Sequence, residues 1–245
     1  MLIYSLLAAS LVSLLSFAGA LSLAIKADKL NKVLIYLVAF SAGSMIGAAF
    51  FHLLPEVLDG NDSLNVFIYT LAGFSLFFVL ERILRWHHCH DENCHTHEHL
   101  GWMNLIGDGV HNLIDGMVIF ASFAGGPVLG VSVTLSIILH EVPQELGDFG
   151  VLLYSGFSRK RALLYNFASA CVAIIGVLIA YFLNFIDSSV SLFLLPFAAG
   201  GFIYIAASDL IPEIHKDNKL WRAVWSYVLF VVALAFMYCM KVWFE

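Results

Sequence analysis

Residues 40–57 read FSAGSMIGAAFFHLLPEV, and residues 197–214 read FAAGGFIYIAASDLIPEI. At a displacement of 157 residues, eight of the eighteen positions are identical: Phe40/Phe197, Ala42/Ala199, Gly43/Gly200, Ile46/Ile203, Ala49/Ala206, Leu53/Leu210, Pro55/Pro212 and Glu56/Glu213. Helices rich in small residues resemble one another by chance, because small residues serve close packing. A shared Leu-x-Pro-Glu ending is harder to obtain that way and points to an internal repeat. Each copy also carries a polar pair, His52 with Glu56 and Asp209 with Glu213. These pairs either cap a proline-kinked helix end or line a pathway.

The copies sit in a chain of 245 residues that is 61% hydrophobic and 12% charged. Soluble domains carry about 25% charged residues, so this chain lacks the charge to cover a globular surface and reads as an integral membrane protein. A spanning helix needs about 20 predominantly apolar residues. Eight stretches qualify: 2–25, 33–55, 64–86, 102–124, 127–155, 161–185, 190–213 and 222–244. They are continuously apolar rather than alternating, which excludes strands of an outer-membrane barrel. The first has no basic n-region and is followed, not preceded, by Lys26, Lys29 and Lys32, unlike a signal peptide. A net charge of -6 argues against nucleic acid as a partner.

With the N-terminus outside, the cytoplasmic side receives Lys26, Lys29, Lys32, Arg82, Arg85, Arg159, Lys160, Arg161, Lys216, Lys219 and Arg222, leaving only Lys241 outside. That asymmetry satisfies the positive-inside rule and places both termini outside. The repeat copies then fall in spans 2 and 7, which cross in opposite directions. Spans 1–3 and 6–8 are expected to be inverted copies around spans 4 and 5. The predicted fold is thus all-α, eight transmembrane helices in one domain with a 3+2+3 arrangement, an architecture common among secondary transporters with a midplane substrate site.

Spans 4 and 5 are abnormal for helices in lipid. Span 4 contains Asp108, His111, Asn112 and Asp115, and span 5 contains His140, Glu141, Gln144, Glu145 and Asp148. An ionisable group at the bilayer centre costs roughly 2.5–3.5 kcal/mol on insertion scales, so five uncompensated carboxylates would cost on the order of 12–18 kcal/mol. Neither span has Lys or Arg in its core. Water, mutual pairing or a cation must compensate, and carboxylates with imidazoles and no cationic side chain ask for a metal. His111/Asp115 and His140/Gln144/Asp148 step by four along their helices, as do Glu141 and Glu145. Antiparallel neighbours would bring these groups to one depth. Nitrogen and oxygen donors without sulfur suit zinc, and also iron, manganese or cobalt. Pro143 frees the carbonyl of Leu139 and offers a kink or a further oxygen ligand. Asp108 and Asp148 lie one turn to the cytoplasmic side, where they would hand a cation on toward Asp209 and Glu213, while His52 and Glu56 would receive it from outside. Asn166 in span 6 adds either an oxygen ligand or a helix–helix hydrogen bond.

Residues 87–99 read HHCHDENCHTHEH. His87, His88, Cys89, His90, Cys94, His95, His97 and His99 make this a metal-binding tract of low specificity, since such compositions bind soft and borderline metals without a fixed finger spacing. Thiols on the cytoplasmic side stay reduced, so Cys89 and Cys94 are expected as ligands rather than a disulfide. Cys171 and Cys239 stand alone in apolar stretches and read as packing residues.

The run His111-Asn-Leu-Ile-Asp115-Gly and the run His140-Glu-Val-Pro-Gln-Glu-Leu-Gly-Asp148 resemble the paired signatures of the ZIP (Zrt/Irt-like) metal transporters. The eight-span layout, the outside termini and the His-rich loop between spans 3 and 4 fit as well, so the resemblance covers essentially the whole chain. It implies import of a divalent metal, typically zinc, into the cytoplasm through a binuclear site between spans 4 and 5; the alternative is a broad-specificity or iron/manganese importer of the same fold, since the sequence does not rank zinc against iron, manganese, cadmium or cobalt. One metal would be held by His111, Asp115, His140 and position 144, the other by Asn112, Glu141, position 144 and Asn166. The family pattern places a second His where this chain has Gln144, a weak neutral ligand, which touches the bridging role and strict zinc preference. Glu145 joins the candidate ligands, and a homodimer is a further implication of the family.

Rival readings are weaker. An intramembrane metalloprotease would need H-E-x-x-H, but His140-Glu141 is followed at the fifth position by Gln144. No G-x-x-x-x-G-K-[ST] sequence supports an ATP-driven pump. A metal-sensing receptor lacks a use for polar groups leading toward both faces. With no targeting segment and no large extramembrane domain in the sequence, the plasma (inner) membrane is the expected location.

Overall fold

The computed structural model describes residues 1–19, 27–58, 63–86, 98–187, 189–216 and 219–244, and among these there is no strand. Residues 87–97 of the His/Cys tract therefore lie outside the described residues, and residues 98 and 99 begin a helix. The helices are α1 (Leu2–Leu14, prolonged by a 3-10 turn at Leu15–Phe17), α2 (Ala27–Gly47), α3 (Leu54–Leu58), α4 (Ser63–Trp86), α5 (Glu98–Gly125), α6 (Pro127–Tyr154), α7 (Arg159–Ala170), α8 (Val172–Ile186), α9 (Val190–Ile205), α10 (Ile211–His215) and α11 (Leu220–Phe244).

Among the described residues, five segments are long and apolar enough to cross a membrane: Val33–Leu58, Ser63–Arg82, Arg159–Ile186, Val190–His215 and Leu220–Trp243. The two segments at the repeat copies bury 56% and 61% of their most apolar stretch, whereas α4 and α11 bury 17% each. The repeat helices are thus central, and α4 and α11 are peripheral. On those outer helices Leu64, Phe67, Leu71, Trp221, Trp225 and Tyr227 are exposed, as side chains facing lipid are. α5 and α6 have 28 residues each. At 1.5 Å per residue each reaches about 40 Å, long enough to span, and both carry the acids, histidines and amides read from the sequence.

The repeat reappears in the backbone. α2 passes into α3 through a π-helical turn at Ala48–Leu53, and α9 passes into α10 through another at Ala206–Leu210. Both turns end on the matched leucines, two residues before the matched prolines. Pro55 has no N–H for the carbonyl of Phe51, and Pro212 has none for Ser208, and each ring would collide with that oxygen. A wider turn with bonds to the fifth residue absorbs the misfit. Packing repeats too: α2 lies along α11 and α9 along α4, while α5 leans on α8 and α6 on α1 with its 3-10 turn. Gly43 meets the backbone carbonyl of Phe230, and its counterpart Gly200 meets that of Thr70, so a Cβ at either would overlap the neighbouring helix.

α6 ends where Gly156 takes a φ of +90°, with its N–H on the Leu153 carbonyl and the Phe157 N–H on that of Leu152. This paired closure needs the left-handed backbone that glycine adopts freely. Ser158 then caps α7, its hydroxyl accepting the Arg161 N–H.

Candidate functional site

α5 and α6 run antiparallel, and their polar contacts descend one helix as they climb the other. Asn104 Nδ2 donates to Asp148 Oδ1 at 3.0 Å, and Gln144 Nε2 donates to Asp108 Oδ1 at 3.3 Å. Further along, His111 Nε2 lies 3.3 Å from Glu141 Oε1, and His140 Nε2 lies 3.2 Å from Asp115 Oδ2. The i,i+4 stripes on both helices make this ladder, because each stripe keeps one face toward the other helix.

Two groups of ligating atoms form on it. In the first, one atom each from His111, Asp115, His140 and Glu141 lie within 4.8 Å of one another. In the second, the same holds for Asp108, Glu141 and Glu145, so Glu141 belongs to both. The imidazoles face each other, Nε2 to Nε2, at 3.2 Å. His140 Nδ1 lies 3.1 Å from the Ser136 carbonyl. In the neutral tautomer that donates there, the Nε2 lone pair is directed at the group, the form that ligates metal. His140, Asp115 and Glu141 are buried, and only the His111 side chain keeps an exposed share, 11%. Phe77 from α4 stands edge-on to His111 and Phe202 from α9 to His140, walling the group with apolar rings.

Several buried oxygens here have no hydrogen-bond donor: Asp108 Oδ2, Asn112 Oδ1, Glu141 Oε2, Glu145 Oε1, Asp148 Oδ2 and Asn166 Oδ1, while Glu141 Oε1 has only the two imidazoles near it. An unsatisfied buried polar atom costs about 1–3 kcal/mol, and more when charged. Oxygen atoms with free lone pairs, gathered beside two imidazoles, are a donor set that a divalent cation completes.

The amides named in the sequence donate into this cluster. Asn112 Nδ2 reaches Asp108 Oδ1 at 2.9 Å, and Asn166 Nδ2 from α7 donates to Glu145. Gln144 likewise spends its N–H on Asp108, and the fourth His or acidic member beside His111, Asp115 and His140 is Glu141. The Leu139 carbonyl freed by Pro143 is taken by Ser41 of α2, not left open as a ligand. The repeat pairs stand apart from the cluster. His52 is buried with Nε2 3.0 Å from the Met237 carbonyl of α11. Glu56 is exposed beside Gly125, Asp209 is half-buried in the second π-turn, and exposed Glu213 pairs with Lys216 at 2.5 Å. Sequence reading missed Asn104, Ser41 and Ser169, whose hydroxyl donates to the Leu105 carbonyl at 3.0 Å and ties α7 to α5. Asn104 shares the acid-bearing helix α5, whereas Ser41 and Ser169 lie on α2 and α7; a hydroxyl or amide carries little insertion cost and so attracts no notice.

Comparison with known proteins points to one family. The family model of the ZIP zinc transporters matches residues 1–99 and 85–241. The zinc transporter zipt-7.1 of Caenorhabditis briggsae is 33% identical over 243 residues, covering 74% of this chain and 62% of its own length. The zinc transporter YKE4 of Saccharomyces cerevisiae is 31% identical over 229 residues, covering 80% of this chain and 66% of its own. Human zinc transporter ZIP6 is 42% identical over 119 residues, 48% of this chain and 16% of its own. The chain thus spans less than two thirds of the length of each of these curated relatives. With one model covering both repeat copies and the acid ladder between them, the chain belongs to the ZIP zinc transporter family, whose members are transporters and not enzymes.

Proposed function

We propose that this multi-pass membrane protein imports divalent metal cations, zinc first among them, into the cytoplasm through a two-metal centre between α5 and α6. The observation that carries the reading is the convergence of His111, Asp115, His140 and Glu141 within 4.8 Å, beside acids whose oxygens lack donors. The first metal takes those four residues. The second takes Asp108, Glu141 and Glu145, with the free carbonyl oxygens of Asn112 and Asn166 beside it and Glu141 shared. Gln144 positions Asp108 rather than bridging.

The eight-span, 3+2+3 topology with both termini outside is part of the same proposal. It draws support from the repeated π-turns and the repeated packing of α2 on α11 and α9 on α4. Transport follows the metal gradient, with α5 and α6 and part of one repeat moving against the rest. His52 and Glu56 serve the outer approach, while Asp108, Asp148, Asp209 and Glu213 serve the inner one. The tract His87, His88, Cys89, His90, Cys94, His95, His97 and His99 captures metal at the cytoplasmic mouth. Iron, manganese, cadmium and cobalt are secondary substrates, the plasma membrane is the site of action, and a homodimer is the assembly.

The test is zinc uptake into proteoliposomes containing the purified protein, with a metal-sensitive dye inside and His140→Ala as control. Saturable uptake that the control loses supports the reading. Tight zinc binding without uptake overturns it in favour of a sensor.

A further inference from the structure

α6 continues unbroken through Pro143, although proline has no N–H for the carbonyl four residues back. That carbonyl, of Leu139, directly precedes His140 and Glu141, so its orientation sets the turn that aims two ligating side chains. Its hydrogen bond comes from another helix: the buried hydroxyl of Ser41 on α2 donates to it. Ser41 Oγ also lies 2.8 Å from the carbonyl of Leu37, one turn back on its own helix. A hydroxyl has a single proton, so the bond to Leu139 competes with one to Leu37. If α6 draws away from α2, the Ser41 proton falls back on Leu37 and only the Leu139 carbonyl is released.

The internal repeat supplies a control. The position equivalent to Ser41 is Ala198 on α9, and α9 packs against α5, which contains no proline. A hydroxyl stands where the facing helix has a freed carbonyl, and a methyl stands where it has none.

From this geometry we propose that Ser41 is a positioning latch for the metal-binding turn of α6, holding His140 and Glu141 in register with α5 and releasing at low cost when α6 moves. The proposal rests on the transport reading above and adds a residue that touches no metal.

The test is a double-mutant cycle on zinc uptake in proteoliposomes, with uptake expressed per folded protein and zinc affinity measured in parallel in detergent. Ser41→Ala is expected to lower maximal uptake about tenfold, the scale of one lost hydrogen bond to a buried carbonyl. Ser41→Thr, which keeps the hydroxyl, is expected to retain uptake. Pro143→Ala restores an N–H four residues after Leu139, so in that background Ser41→Ala is expected to have no further effect. Equal penalties in both backgrounds would overturn the latch. If Pro143→Ala does not fold, the series at position 41 decides: donor strength ranks Thr with Ser, then Cys, then Ala, whereas simple packing ranks Cys with Ser and Thr last. Absence of uptake in the wild type would instead overturn the transport reading, independently of the cycle.

Discussion

Glu141 is the residue on which both ligating groups turn, which separates it from its neighbours in effect. Replacing Glu141 with Ala is expected to abolish zinc binding at both positions, while Asp115→Ala removes the first and leaves the second. Zinc-to-protein ratios by elemental analysis after gel filtration check this; two retained zincs in the Glu141 variant would refute the shared role. Glu145 gives a second expectation of opposite sign. Its carboxylate is buried beside Asp108 and Glu141, with one oxygen lacking a donor. Glu145→Gln keeps the shape and removes a like charge, so it is expected to raise the melting temperature of metal-free protein and reduce the rise produced by zinc. Differential scanning with and without zinc reads both shifts. The His111/Asp115 and His140/Gln144 stripes were legible in the sequence because a four-residue step fixes a helix face. Glu141 as a shared member was not: it lies about 100° around α6 from His140, and only the path of α5 over α6 decides which carboxylate enters both groups.

Among elements, the repeat glycines are the points where helices touch backbone to backbone. Gly43→Ala and Gly200→Ala are each expected to destabilise the protein by about 1–3 kcal/mol through overpacking. Gly147→Ala and Gly150→Ala, where a Cβ meets nothing within 4 Å, are expected to be tolerated. Melting in detergent distinguishes the pairs; equal behaviour of all four would contradict the close approach. Both the small-residue faces and the proline-bearing ends were legible, since Gly43/Gly200 and Pro55/Pro212 recur at one displacement. Which distortion the prolines produce was not: a kink and a π-turn both relieve a missing N–H, and packing selects between them. The division of one apolar run into α7 and α8 at Cys171 was equally hidden, for no glycine or proline marks it.

At the scale of the molecule, composition alone places the chain in a membrane, but composition does not say which helix lies beside which. Metal is expected to act as a structural counter-charge as well as cargo. A hundredfold excess of zinc over its dissociation constant adds about 2.7 kcal/mol to stability, so zinc is expected to raise the melting temperature and a chelator to lower it. No shift in either direction would refute a buried centre. Deleting residues 87–99 is expected to leave basal uptake intact while changing its response to cytoplasmic zinc, as proteoliposome uptake with metal inside would report. Complete loss of uptake in a properly inserted protein would place that tract on the route itself.

The crossed pairing has a temporal side. α2 lies along α11, with Gly43 against Phe230, and α4 lies along α9. A chain delivered to the bilayer in order therefore inserts α2 long before its partner exists, and α4 likewise waits for α9. Until Leu220–Phe244 arrives, the small-residue face of α2 is bare to lipid. α11 acts as a clasp, since α2 and α4 each pack on a helix from the other half of the repeat. Assembly is consequently late and collective rather than half by half, and a chain stalled before α11 would leave α2 without its partner although α4 already has α9.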